Sequence, residues 1–279
     1  MKTIHLLAAL LISGLSFAQN TFSFRTENAE IILLSEIQRE SNLNNLIGAT
    51  PEIIAETAPG NKYPAAVNAF LVKTKKRNIL LDTGYGRELF NNLKTSGVSP
   101  EEIDAILMTH LHGDHFGGLL KDGKRAFPNA KLYMSKKEFA SANESAAKAI
   151  KEYGDDLILF EPGGPKPKKV YDALYSMSSY GHTPGHTVFI IDDLVIWGDL
   201  THAMAIQMPY PQVAISYDTD PSAAVQSRFM MLAYIVKNNL TAAGMHIPYP
   251  GIGKLKSDGK GGFIFTPVKK ENQPVKVSP

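Results

Sequence analysis

Thr109-His110-Leu111-His112-Gly113-Asp114-His115 is the stretch on which the reading of this chain turns. It follows a short apolar run, residues 105–108, that has the character of a buried strand. In extended chain His110 and His112 project to the same side, so their imidazoles can meet one ion. Gly113 lets the backbone turn, which re-aims Asp114 and His115 toward a second point nearby. Histidines crowded in this way repel one another when protonated and want desolvated partners when neutral. A bound metal resolves both problems.

Working outward, more donors sit at the ends of other strand-like runs, where loops project groups from a rigid scaffold. His186 closes the turn His182-Thr183-Pro184-Gly185-His186, Asp199 follows Trp197-Gly198, and His246 ends the apolar run 242–245. Two metals sharing one carboxylate need about seven protein ligands. His110, His112, His115, His186, His246, Asp114 and Asp199 supply that set. His182, ahead of a Pro-Gly turn, reads as a supporting residue that orients a ligand. His202 reads equally as a pocket wall or as part of a solvated loop.

Composition narrows the chemistry. The 279 residues include 29 Lys+Arg, 27 Asp+Glu and no Cys. Disulfide scaffolds, Fe–S clusters and thiol nucleophiles are therefore excluded. Imidazole and carboxylate donors suit Zn²⁺, with Mn²⁺, Fe²⁺ and Co²⁺ as substitutes. A net charge of +2 speaks against a nucleic-acid partner held through many phosphate contacts.

Residues 1–18 carry Lys2, an apolar segment and Ser16-Phe17-Ala18, the layout of a cleaved signal peptide. The apolar run is too short to span a bilayer, so no stable membrane anchor is expected. Residues 19–279 then form one catalytic domain, periplasmic or secreted. Strands are expected at 66–72 and 78–81 around a polar turn, at 187–191 and 194–197 around Asp192-Asp193, and at 242–245 and 262–268. Helices are expected after Ser99-Pro100-Glu101-Glu102, over 136–153 and over 221–236. Residues 165–169 read as a solvated basic loop. Residues 47–62 read as loop, either a flap or a surface connection. Helices interleaved with strand-rich ends point to two sheets covered by helices, a four-layer αββα sandwich of the α/β class.

The runs THLHGDHFGG, GHTPGHT and WGD, with the late His246, resemble the metallo-β-lactamase superfamily, and Leu81-Asp82-Thr83-Gly84 is similar to that family's early acidic turn. The resemblance covers nearly all of the chain after residue 18. It implies two Zn²⁺ per chain. His110, His112 and His186 would hold one, Asp114, His115 and His246 the other, and Asp199 would bridge them. Asp82 would orient a ligand imidazole, with a plain turn aspartate as the alternative. A hydroxide generated between the metals would attack a carbonyl or phosphoryl centre, with Asp114 as the catalytic residue that orients it or carries its proton.

The missing cysteine excludes lactamase classes with a Cys ligand, and Asp199 counts against the others. The segment after His246 is too short and too strand-like for the helical extension of glyoxalase-II-type thioesterases. Met245-His246-Ile247-Pro248-Tyr249-Pro250-Gly251-Ile252-Gly253, Gly261-Gly262-Phe263 and Tyr217-Asp218-Thr219-Asp220-Pro221 resemble the methyl parathion hydrolase group, similar in site architecture to N-acyl-homoserine lactonases. The resemblance implies hydrolysis of lactones or esters, foremost the opening of N-acyl-homoserine lactones (quorum quenching). Organophosphate triester hydrolysis is the alternative, and a non-catalytic periplasmic metal-binding protein the remote one. The substrate is expected to be small, neutral and apolar, with Tyr85, Phe116, Met204, Met208 and Tyr210 as candidate pocket walls, ordinary core or loop packing being the alternative for any single one. A homodimer is left open.

Overall fold

A computed structural model describes residues 20–269; the expected signal peptide lies outside the described residues. Two seven-stranded sheets dominate. The first runs, in spatial order, Thr21–Arg25, Ala29–Asn42, Lys62–Thr74, Asn78–Leu81, Ala105–Leu107, Lys131–Ser135 and Leu157–Phe160. Its first four strands pair antiparallel and its last four parallel. The second runs Lys168–Tyr171, Leu174–Ser178, Thr187–Ile191, Leu194–Ile196, Thr241–Ala243, Ile252–Ser257 and Phe263–Pro267.

Period-two alternation explains why the sheets stack. In the first sheet Ile31, Leu33, Phe70, Val72, Ile79 and Leu81 face a central core, while Ile32, Leu34, Leu71 and Leu80 face an outer one. In the second, Phe189, Ile191, Leu194 and Ile196 enter the same central core. Val188, Ile190, Val195 and Trp197 turn outward, where Met231, Leu232 and Ile235 of the helix Pro221–Lys237 cover them. Leu89 and Leu93 of the helix Leu89–Thr95, with Ala146, Ala149 and Ile150 of Glu144–Lys151, cover the first sheet. The layers are helix, sheet, sheet, helix, the αββα sandwich expected from the sequence.

Several local expectations are corrected. Residues 136–153 form two helices, Lys136–Ala140 and Glu144–Lys151, because Asn143 caps a new start, accepting from Ala146 N–H. After Ser99 only a 3₁₀ turn forms, Pro100–Glu102. Residues 47–62 contain the helix Pro51–Thr57, capped by Thr50 with proline in its first turn. The expected basic loop gives its last two residues to the strand Lys168–Tyr171.

One feature positions the site. The pair Ala29–Asn42 and Lys62–Thr74 stays hydrogen-bonded as far as Asn42↔Lys62. Its outer neighbours end sooner, pairing only as far as Leu34 on one side and Phe70 on the other. The two strands therefore run on as a ribbon, past a bulge between Ser35 and Ile37.

Candidate metal centre

The donors converge at the ends of strands drawn from both sheets. The strand Ala105–Leu107 delivers His110 and His112, and a one-turn helix, Gly113–Phe116, carries Asp114 and His115. The second sheet delivers Asp199 two residues past Trp197, and His246 three past the strand Thr241–Ala243. Gly198 makes this convergence feasible: its φ is +58°, and a Cβ there would lie 2.6 Å from His186 Nε2 and 2.9 Å from Thr109 Cβ.

Asp199, 3% exposed, is the hub. Its Oδ2 lies 3.1 Å from His182 Nε2, 3.1 Å from His246 Nε2, 3.0 Å from His202 Nε2 and 3.5 Å from His110 Nε2. Its Oδ1 lies 3.0 Å from His115 Nε2. Burial works against its ionised form, but the surrounding imidazoles, His115 and His246 first, hold it well below the usual carboxylate range. Asp114 stands at the rim, with Oδ2 3.6 Å from His246 Nε2 and Oδ1 3.8 Å from His115 Nε2. Burial also opposes its ionisation, and His115 and His246 again prevail to lower its pKa.

The imidazoles are aimed from behind. His115 Nδ1 is 2.7 Å from Asp82 Oδ2, and Asp82 also accepts from Thr109 N–H at 2.7 Å and Thr109 Oγ1–H at 2.6 Å. With its proton given to Asp82, Thr109 Oγ1 accepts from His110 Nδ1 at 3.0 Å. His182 Nδ1 meets Asp218 Oδ1 at 2.8 Å, and His246 Nδ1 donates to the Ala66 carbonyl at 2.7 Å. In each case one ring nitrogen is tied down and the other turned inward, the arrangement that fixes a ligand imidazole. Asp82 thus stands behind His115, where it was expected to orient a ligand imidazole, and Asp218 stands likewise behind His182.

Four overlapping sets of three or four donor atoms, each set within 4.8 Å, make up the centre: His110, His112, His182 and Asp199; Asp114, His115 and His246; Asp82, His110 and His115; and Asp199, His202 and His246. His182 belongs to the first set; the expectation that His186 does so is corrected. His186 Nδ1 donates to the Ser179 carbonyl at 3.0 Å, and its Nε2 accepts from Asp199 N–H at 2.9 Å. Both ring nitrogens are committed and none is left for an ion. The expectation that His182 only supports a ligand is reversed: its Nε2 stands 3.0 Å from His112 Nδ1. His202 also proves to be at the site, with Nε2 on Asp199.

The donor set fits divalent ions on the structure's own terms. His110 Nε2, His115 Nε2 and Asp199 Oδ1 are buried and make no hydrogen bond, an expensive state that coordination would relieve. Burial depresses His112 to a pKa of about 4, so it offers a neutral donor at physiological pH. Burial also opposes the charged form of His182, but Asp199 and Asp218 outweigh it and raise its pKa to about 9. An ion must therefore displace a proton there.

A cavity of about 390 Å³ opens onto these groups. The ribbon provides one wall through Arg39, Ser41, Tyr63, Ala65 and Val67, and Tyr85, Ile215 and Tyr217 complete it. Of the expected walls only Tyr85 lines the cavity. Phe116 is buried in the core over the first sheet. Met204 and Met208 line a separate apolar groove with Phe263 and Phe265. Tyr210 turns its hydroxyl to Glu56 Oε2 at 2.6 Å. Alternation along 35–42 and 62–69 is the signal that could have identified the ribbon wall.

Residues 63–246 match the family model described as the metallo-beta-lactamase superfamily. Among solved structures the chain is similar to AidC, a dizinc quorum-quenching lactonase in complex with a product, at 26% identity and a TM-score of 0.80, covering 90% of this chain and 98% of that one. Among curated proteins it is 26% identical over 163 residues to an N-acyl homoserine lactonase of a Bacillus species, covering 48% of this chain and 61% of that protein. It is also 31% identical over 115 residues to the exodeoxyribonuclease WalJ of Streptococcus pneumoniae serotype 2, covering 39% of this chain and 40% of that protein.

Proposed function

Because the chain belongs to the metallo-beta-lactamase superfamily, we propose that it is a dinuclear-metal hydrolase that opens lactone or ester bonds, with N-acyl-homoserine lactones as its leading substrates. The observation that carries this reading is the overlap, along nearly the whole of both chains, with a dizinc lactonase bound to a hydrolysed acyl-homoserine. His110, His112 and His182 would hold one ion, Asp114, His115 and His246 the other, with Asp199 between them. When bound, the two ions supply Lewis acidity toward the ester carbonyl and activation of water near neutral pH. Zinc is the proposed metal, on the donor chemistry.

The chain's own groups supply the rest. The ionised carboxylate of Asp114 lies at the cavity edge, placed to accept a proton from the attacking water and return it to the departing alkoxide. Water adds to the carbonyl carbon, the ring C–O bond breaks, and the products are an alcohol and a carboxylate, the second water proton passing to solvent. His202 and the phenols of Tyr85 and Tyr217 face the cavity that would receive the acyl-amide portion. Tyr217 is steadied by a hydrogen bond from Asn45 Nδ2. Ile215 and Val67 give apolar surface for a small neutral acyl chain.

The test compares kcat/KM for N-acyl-homoserine lactones with that for methyl parathion. Lactone preference supports the proposal; a phosphotriester preferred by orders of magnitude overturns it in favour of the organophosphate reading. We also propose export, on the signal-peptide layout of residues 1–18. The mass of the native protein tests it: a start at Gln19 agrees, and retention of Met1 contradicts it.

A further inference from the structure

Glu138 is 2% exposed, and the proposed chemistry gives it no role. It lies in the short helix Lys136–Ala140, whose cap Ser135 accepts from Glu138 N–H at 3.1 Å. Its Oε1 accepts from Leu111 N–H at 2.8 Å. Its Oε2 accepts from Thr183 Oγ1–H at 2.7 Å and from Gly185 N–H at 3.0 Å. Leu111 separates His110 from His112, and Thr183 follows His182. One buried carboxylate therefore ties together two metal-facing loops that come from opposite sheets.

The approach is close. A Cβ on Gly185 would lie 2.1 Å from Glu138 N and 2.5 Å from Ser135 Oγ, and Ser135 Oγ donates to the Gly185 carbonyl at 2.8 Å. We propose that Glu138 is a positioning residue for the metal centre: it sets the loop of His112 against the loop of His182, so that the two rings face one ion. The inference rests on the metal reading above. All three partners of the carboxylate are donors, so a double acceptor is required. A glutamine would turn its own N–H₂ toward either Leu111 N–H or Gly185 N–H, orphaning a backbone donor in one of the two metal-facing loops.

The test is metal competition against a chromophoric chelator, with Zn²⁺ alone as the probe. It is run on wild type, Glu138→Gln and Thr183→Val, alongside circular dichroism and Tm of the metal-free proteins. Loss of a group behind a ligand costs about 10–100-fold in metal affinity. Glu138→Gln is expected to fold and to weaken retention of one of the two ions by that factor. Thr183→Val, which keeps the carboxylate and one of its two Oε2 contacts, is expected to weaken it less, and it carries the test should Glu138→Gln not fold. A lowered Tm with Zn²⁺ affinity within twofold of wild type in the folded variants overturns the proposal and leaves Glu138 a structural residue. Wild type that takes up no Zn²⁺ overturns the metal reading instead, and this proposal with it.

Discussion

Asp82 Oδ2 lies 2.7 Å from His115 Nδ1, and both side chains are fully buried. The same carboxylate holds Thr109, and through Thr109 Oγ1 the ring of His110, so one residue aims two imidazoles of different metal sets. Asp82→Ala is therefore expected to weaken metal retention about 10–100-fold, read by chelator competition. Retention equal to wild type would show that Asp82 serves only its turn.

His182 and His186 separate experimentally. His182→Ala should leave one metal per chain by elemental analysis of dialysed protein. His186→Ala should keep two while lowering stability by about 1–3 kcal/mol, since Ser179 O and Asp199 N–H lose their partner. The reverse pattern would restore His186 as the ligand.

The stability of metal-free protein should peak near pH 6.5. His182 is raised to about 9 by Asp199 and Asp218 against the effect of burial. Its contribution is fully present below its unfolded value of 6.5 and is lost as pH rises through 9. Burial depresses His112 and His202 to about 4 and His186 to about 3. Their contribution is present above 6.5 and is lost as pH falls below it. Tm against pH in chelator checks this; a monotonic curve between pH 4 and 9 would contradict it.

The cavity walls predict a division of labour. Ala65→Trp, which adds bulk at a half-buried wall of the cavity, should lower kcat/KM for long-chain lactones about tenfold, one apolar contact being worth about 1–3 kcal/mol. Met204→Ala and Met208→Ala should leave kcat/KM within about twofold while costing about 2–5 kcal/mol in stability. Denaturant melts and steady-state kinetics separate the two. A specificity change on trimming Met204 would place the substrate in the outer groove.

Much of this was legible in the sequence. His110, His112, Asp114 and His115 declare themselves because strand geometry and one glycine fix their directions locally. A continuous apolar run such as residues 105–108 encodes a strand buried on both faces, hence the layered fold. The choice between His182 and His186 is not local: each sits in a Gly-His-Thr triplet. It is decided by Gly198 and Asp199 N–H packing on the ring of His186, from a strand turn more than ten residues away. The cavity wall is equally non-local, since Arg39 meets Ala65 only through strand pairing. Met204 and Met208 read as lining because they follow Asp199, but the helix Met204–Gln207 turns them into the core outside the second sheet.

The measurement that bears most directly on the account is the initial rate of N-hexanoyl-homoserine lactone opening as Zn²⁺ is titrated into metal-free protein. Two ions held by His110, His112, His182, Asp199, Asp114, His115 and His246 predict a rate that climbs to a plateau at two equivalents per chain. No lactone opening at any loading, or a plateau already reached at one equivalent, would contradict it.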